Sequence, residues 1–267
     1  MSDEKISIVL PTRGRPIFMQ RLWNSIFDLA LKKDLVEIVF YIDDDDLESI
    51  ECAKQMNESN PNVIYIIGPR ICISIAWNKA YELASGDIIM HCGDDIIFRT
   101  SGWDELVRDE FEKYKDRIVL VYGHDGYCNG ALATHSFIHR RWIEVVGYFL
   151  PPYFESDFND VWLDELATRI ERRVFLPQLY TEHMHYVNGK AEKDQNTFDR
   201  LERHKQTHPD EIYKSKITER IQDADKLSMY IYKQFTPGYY RGIRTTPKRK
   251  NIEFKLKDGL DIREDDL

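Results

Sequence analysis

Cysteine is scarce: four residues, Cys52, Cys72, Cys92 and Cys128, stand in the 267-residue chain without paired ligand spacing or a disulfide pattern. That excludes a stapled extracellular scaffold and a structural zinc site. Long apolar runs are missing too, and none approaches the roughly 20 residues of a membrane-spanning helix. The opening MSDEKISIVL is acidic and enters a strand directly, so no signal peptide is expected. Positive charge is in deficit. A formal net charge of −9 argues against a general nucleic-acid coat, which must neutralise many phosphates. The sequence carries no internal repeat and no low-complexity tract. These absences predict a soluble protein of a reducing compartment, the cytoplasm.

What is present is an ordinary globular mixture, 42% hydrophobic and 12% aromatic, ample for a core. Its most informative stretch is residues 86–98, GDIIMHCGDDIIF. The apolar run Ile88-Ile89-Met90, bounded by turn residues, reads as a buried strand. Asp94 and Asp95 follow it closely. Two adjacent carboxylates repel each other and lose hydration at a buried strand end, so they need neutralising. A hard divalent cation does this well, because Mg²⁺ and Mn²⁺ prefer a few carboxylate oxygens beside a substrate's phosphates. The competing reading is an acidic turn with no ligand.

Strands alternate with helices around this stretch. Residues 6–10 (ISIVL) form a first apolar run, stopping at Pro11-Thr12-Arg13-Gly14-Arg15-Pro16, where Pro16 suits the first turn of a helix. Residues 36–42 (VEIVFYI) form a second, ending in Asp43-Asp44-Asp45-Asp46, and residues 63–67 a third, ending at Gly68-Pro69-Arg70. Near-continuous apolar strands predict an α/β, Rossmann-like architecture with a mostly parallel central sheet flanked by helices. Ligands of such sheets sit beyond the carboxyl ends of the strands. Thr12, Arg13, the acidic run and Asp94-Asp95 therefore gather at one edge. Asp45 and Asp46 read equally well as a solvated loop.

Further on, residues 102–114, 140–146 and 158–172 carry helical spacing, and 118–122 and 131–139 read as strands. Residues 174–177 predict a short edge strand. Residues 190–209 are polar and unpatterned, which predicts a mobile loop over the site, and 210–234 predict one long helix. The chain thus divides into a domain at 1–209 and a helical appendage at 210–267. The appendage ends in a basic cluster, Arg241, Arg244, Lys248, Arg249 and Lys250, before the acidic Arg263-Glu264-Asp265-Asp266. That cluster reads as a solvated tail, or as a dock for an anionic partner.

In order and spacing these segments resemble the family 2 glycosyltransferases of the GT-A fold, over about the first 190 residues. The resemblance rests on IVLPTRGRP, on IDDDD, on SIAWNKAYELASGDII leading into CGDD, and on NDVWLDELATR with VFLPQLYTEHMH beyond it. It implies a nucleoside-diphosphate sugar as donor, a UDP-sugar by preference, held on Mn²⁺ or Mg²⁺. It implies that Pro11, Thr12 and Arg13 line the nucleotide and diphosphate pocket and that Asp43 or Asp44 faces the base or ribose. Arg70, Asn78, Gly93 and Asp94 complete the implied donor site. Gly93-Asp94-Asp95 takes the place of the family's metal-binding Asp-X-Asp, but Cys92 occupies the first aspartate position. The metal role therefore falls on Asp94 and Asp95.

A histidine beyond the base completes the implied metal site. Glu182-His183-Met184-His185 supplies two, which share a face if the segment is extended. His183 matches better by its spacing from Pro177, with His185 as the alternate. Asn159-Asp160 resembles the family's Glu-Asp pair, with Asn for Glu, which makes Asp160 the expected general base. Asp157 is the fallback, then Glu155. At a helix start Asp160 also fits a plain N-cap.

The chemistry of sugar transfer suits these residue types. A departing diphosphate needs its charge neutralised, a contribution of several kcal/mol from a bound cation. The acceptor hydroxyl must lose a proton to a positioned carboxylate, worth roughly 10²–10⁴-fold. One base with no second carboxylate as nucleophile predicts inversion at the anomeric carbon. The acceptor stays open: a glycan, a lipid-linked sugar, a protein, a small molecule or a modified nucleic-acid base. The rival readings are a nucleotidyltransferase of related fold, which the single glycine of PTRGRP argues against, and a non-catalytic nucleotide-sugar-binding domain. A phospho-acceptor domain would be much shorter and would leave the His-X-His unused.

Overall fold

The computed structural model describes residues 2–235; the basic cluster at 241–250 and the acidic end lie outside them. Strand β1 (Ile6–Thr12) buries six of its seven residues and β2 (Val36–Asp43) all eight, as strands covered on both faces must. With β3 (Val63–Gly68) and β4 (Ile88–His91) they form a parallel block in the order β3-β2-β1-β4. The sheet then turns mixed. It continues through β7 (Ser136–His139), β6 (Leu120–His124), β8 (Arg173–His183) and β5 (Ile96–Phe98), eight strands in all. Strand β7 runs antiparallel to both of its neighbours.

Successive side chains of a strand point to opposite faces, so Ile8 and Leu10 join one core while Val9 joins the other. Helices α1 (Pro16–Leu29), α2 (Leu47–Ser59) and α4 (Trp103–Glu112) cover the first face. Helices α3 (Ile73–Tyr81), α5 (Arg140–Val146) and α6 (Asn159–Arg169) cover the second. Helix α5 ends at Gly147 with φ 103, the left-handed C-cap that its glycine permits. Trp103 and Trp162 are fully buried on the two faces, each contributing several kcal/mol by area, roughly.

Several segments differ from the sequence reading; of the strand expected at 131–139, only Ser136–His139 is a strand. Residues 190–209 contain a helix, α7 (Gln195–Thr207), rather than a loop, though it does lie over the site. Residues 210–234 form two helices, α8 (Pro209–Ser215) and α9 (Ile217–Phe235), because His208 at φ 46 and Pro209 break the run after α7 and Lys216 ends α8. Strand β8 reaches far past the expected 174–177, since its second half leaves β6 to pair with β5. Tyr213, Ala224 and Leu227 are buried in the second core, and Arg220 pairs with Glu165 of α6 at 2.6 Å. No helix among the described residues is long and apolar enough to cross a membrane.

Candidate active site

The parallel register sets the carboxyl ends of β1 and β2 side by side, with Thr12 opposite Ile42. It brings the turn after β4 to the same edge. The result is a cavity of about 500 Å³, within the usual range for small-molecule sites. Of the residues expected at the donor site, Pro11, Thr12, Arg13, Asp43, Arg70, Gly93 and Asp94 line it, with Asp95 and His185. The first turn of α3 supplies an apolar wall through Ile73, Ala76 and Trp77, and α7 adds Asn196, Thr197, Arg200 and Arg203. A shallower groove of about 620 Å³ between α1 and β5 holds neither the aspartate pair nor the histidines.

Two expected donor residues stand elsewhere. Asn78 spends its side-chain amide on the backbone, donating to Ser74 and Leu150 and accepting from Phe149 and Leu150. Asp44 is exposed and outside the cavity wall. Within the acidic run each neighbour has its own task. Asp43 accepts from Arg13 at 3.0 Å, Asp45 also pairs with Arg13, and Asp46 caps α2 through the Ser49 N–H at 3.2 Å.

Asp94 and Asp95 face different partners. Asp94 accepts from Thr12 Oγ1 and from Arg15 Nη1, both at 2.8 Å. Asp95 Oδ2 lies 3.2 Å from His183 Nε2, at the end of β8. Burial opposes its charge, yet His183 and the nearby His135 and Arg15 hold the Asp95 carboxyl well below the usual carboxylate range. Asp95, His135 and His183 offer ligand atoms all within 4.8 Å of one another, a spacing that fits one metal ion. Both ring nitrogens of His135 and Nδ1 of His183 are buried without a hydrogen-bond partner among the described residues. Unpaired buried imidazole nitrogens are costly, and a cation would give them a use. Asp94 and His185 stay outside this group. His185 stacks on Tyr127 with ring centroids 5.7 Å apart, and burial together with His183 lowers its pKa to about 4.

Gly93 holds Asp95 in place by lacking a side chain. A Cβ there would stand 2.8 Å from Asp95 Oδ1 and 3.4 Å from His135 Cε1. Gly93→Ala is therefore expected to displace the carboxylate and weaken Mn²⁺ binding at least tenfold, roughly 1.4 kcal/mol or more. The melting temperature should stay near that of the wild type. Titration with Mn²⁺ checks this, and unchanged affinity would refute it.

Asp160 lies in the first turn of α6 but does not cap it, since Phe158 holds that position at φ 77 with no side-chain cap bond. Its carboxyl accepts from the Val161 N–H at 2.9 Å. Burial, with like charge from Asp157 and Asp164, pushes its carboxyl up to about 7. Its negative charge is close enough to His183 to help raise that imidazole's pKa, although burial lowers it and Asp95 is the larger raising influence. Asp157 is engaged otherwise, with Arg200 Nη1 and His204 Nδ1 each 2.7 Å away. Burial opposes its ionisation, but those partners hold it below the usual range. Glu155 lines the cavity.

Reading the sequence missed His135, Arg15 and the arginines of α7. Arg15 joins Asp94 to Asp194, which it grips through two bonds of 2.6 and 2.8 Å, and Asp194 caps α7. Arg70 reaches Asp199 of the same helix at 2.9 Å. The polar pattern of 190–209 gave no stripe to reveal a helix, and the sign that would have exposed His135 is the direction of β7.

The sequence model of "Glycosyl transferase family 2" matches residues 7–183. Among solved structures, the mannosyltransferase PcManGT from Pyrobaculum calidifontis, in complex with GDP-Man and Mn²⁺, superimposes with a TM-score of 0.55 at 12% identity, covering 88% of this chain and 76% of that one. S. aureus TarS gives a TM-score of 0.50 at 13% identity, covering 67% of this chain and 36% of that one. Its fragment 1–349 gives 0.50 at 12% identity, covering 89% and 93%. No curated protein matches the chain. At such identities the structural likeness speaks for the fold alone, and the fold is GT-A, as expected. Matched by the family model over well more than half its length, the chain belongs to glycosyl transferase family 2.

Proposed function

We propose that this glycosyltransferase moves a sugar from a nucleoside-diphosphate sugar to an acceptor hydroxyl in one displacement, with inversion at the anomeric carbon. The observation that carries the reading is the division of labour at one sheet edge. An arginine-rich cavity adjoins an Asp-His cluster suited to a cation, while a separate carboxyl, Asp160, has its pKa at about 7. A group poised there can accept a proton at neutral pH and release it afterwards.

Asp95 and His183 would hold the cation, beside His135. A divalent ion there supplies charge neutralisation for the departing diphosphate. Arg13, Arg15, Arg70, Arg200 and Arg203 surround the same cavity, and guanidinium forks match phosphate oxygens well. Most of them bond to carboxylates of the chain, at Asp43, Asp45, Asp94, Asp194, Asp199 and Asp157. A bound diphosphate competes for these guanidiniums with acids that are already in place. Asp43 remains the carboxylate for the base or ribose, and Asp160 takes the acceptor's proton. The arrangement of chain segments that we favour is a catalytic domain at 1–209 buttressed by 210–235. Free thiols at all four cysteines suit the cytoplasm.

The test is a panel of nucleotide sugars with Mn²⁺. The panel includes GDP-sugars beside UDP-sugars because the mannosyltransferase neighbour holds GDP-Man. The right donor should release its nucleoside diphosphate, and at a hundred times its dissociation constant it should stabilise the fold by about 2.7 kcal/mol. For a domain of this size that raises the melting temperature by roughly 5–10 °C. Excess EDTA should abolish turnover. A panel in which no nucleotide sugar shifts the melting curve or releases nucleoside diphosphate would overturn the reading. Pyrophosphate release from a nucleoside triphosphate would favour the nucleotidyltransferase instead.

A further inference from the structure

We infer that His135 is a metal ligand beside Asp95 and His183, making a site of two imidazoles and one carboxylate that selects Mn²⁺ and Co²⁺ over Mg²⁺. This rests on the glycosyltransferase reading only in its account of what the ion is for.

The strand end that leads into the cluster offers few ligands of its own. Cys92 is fully buried among the side chains of the first core, and its thiol donates to the Gly93 carbonyl at 3.2 Å. Asp94 is engaged by Thr12 and Arg15. Asp95 alone turns toward the histidines. The second and third ligands come from across the sheet. Strand β7 runs antiparallel to β4, with Ser136 opposite His91, so the residue that precedes β7 stands beside the turn after β4. That residue is His135, and its ring lies edge-on to His183 with centroids 4.9 Å apart. Its nitrogens have no hydrogen-bond partner among the described residues. Behind it the buried His91 ring stacks at 6.2 Å, and neither of its nitrogens bonds to a group among the described residues.

Three protein ligands would leave room on an ion for diphosphate oxygens and water. Mg²⁺ prefers oxygen donors and gives up water reluctantly. Imidazole suits later divalent ions, and affinity rises from Mn²⁺ to Co²⁺ at a given nitrogen and oxygen site. Two imidazoles should therefore separate these ions more widely than a carboxylate pair would.

The experiment titrates metal alone into the full chain, without donor. Binding is read for Mn²⁺ by loss of the free-ion electron paramagnetic resonance signal and for Co²⁺ by its visible absorption. Competition with Mg²⁺ gives the selectivity. The wild type should bind Co²⁺ more tightly than Mn²⁺, and Mn²⁺ at least thirtyfold more tightly than Mg²⁺. His135→Ala should weaken Mn²⁺ at least tenfold and alter the Co²⁺ spectrum. His135→Asp, which restores a second carboxylate, should keep binding while narrowing the gap between Mn²⁺ and Mg²⁺, and melting curves identify any variant that fails to fold. Wild-type Mn²⁺ affinity in His135→Ala, equal binding of Mg²⁺ and Mn²⁺ by the wild type, or no binding of either ion would overturn the inference. Donor turnover is read separately. A protein that binds Co²⁺ through His135 yet cleaves no nucleotide sugar keeps this inference and loses the functional reading, and the converse result does the opposite.

Discussion

Asp160→Asn is expected to lower sugar transfer by about 10²–10⁴-fold while leaving donor affinity within about twofold, the signature of a lost general base. The wild-type rate should rise with pH through about 7, where the carboxyl ionises. The variant should lose that limb. Stability moves in the opposite sense. The folded-state pKa lies above the ordinary 3.8, so the contribution of the protonated carboxyl is fully present below pH 3.8 and is lost as pH rises through about 7. Asparagine cannot ionise. The metal-free variant should therefore be the more stable protein at pH 8, by at most about 4 kcal/mol, and the difference should shrink toward pH 4. Melting curves at both pH values, with rates from nucleoside diphosphate release, check the two halves together. Transfer at the wild-type rate would move the base to Glu155 or Asp157, and Asp157 is the weaker candidate because Arg200 and His204 already occupy it.

How much of this was legible follows from where each signal resides. The parallel block was, because β1 and β2 are buried on both faces and so are apolar almost without interruption. Given a parallel block, the carboxyl ends fall at one edge, and Thr12, Asp43 and Asp94 follow. His183 was legible as the better spaced of a pair, by its distance from Pro177, and β8 carries it to within 3.2 Å of Asp95. His135 was hidden for a different reason. Hydrophobic alternation shows that a strand exists and not which way it runs, and reading 131–139 as one strand placed His135 inside it. The observed strand begins at Ser136, just after His135, and runs antiparallel, which sets His135 at the site. Helix α7 was hidden because its order comes from outside itself. Apart from Phe198 and Leu201 it is polar, and its anchors are tertiary pairs with Arg15, Arg70 and Asp157. No local pattern records partners that lie 43, 129 and 179 residues away.

The adjacent aspartates, alike in sequence, should part company when each is replaced by asparagine. Asp95→Asn removes the single carboxylate of the Asp95, His135 and His183 group. It should abolish Mn²⁺ binding in donor-free protein and cut turnover by about 10³-fold or more, since each factor of ten corresponds to 1.36 kcal/mol and the ion is asked to supply several. Asp94→Asn acts on Arg15 instead. The guanidinium loses the charge of its 2.8 Å partner but keeps both bonds to Asp194. Deleting one partner of a buried ion pair costs about 3–5 kcal/mol when nothing else compensates. With Asp194 still in place the loss should be nearer 1–2 kcal/mol, a fall of roughly 2–8 °C in melting temperature for a domain of this size. Mn²⁺ affinity in this variant should stay within about threefold of the wild type, while turnover drops because Arg15 and the cap of α7 are no longer tied to the strand end. Metal titration and melting curves on the two variants, side by side, decide the matter. If Asp94→Asn loses Mn²⁺ as completely as Asp95→Asn, then Asp94 must leave Arg15 for the ion, and the division drawn between the two carboxylates is wrong.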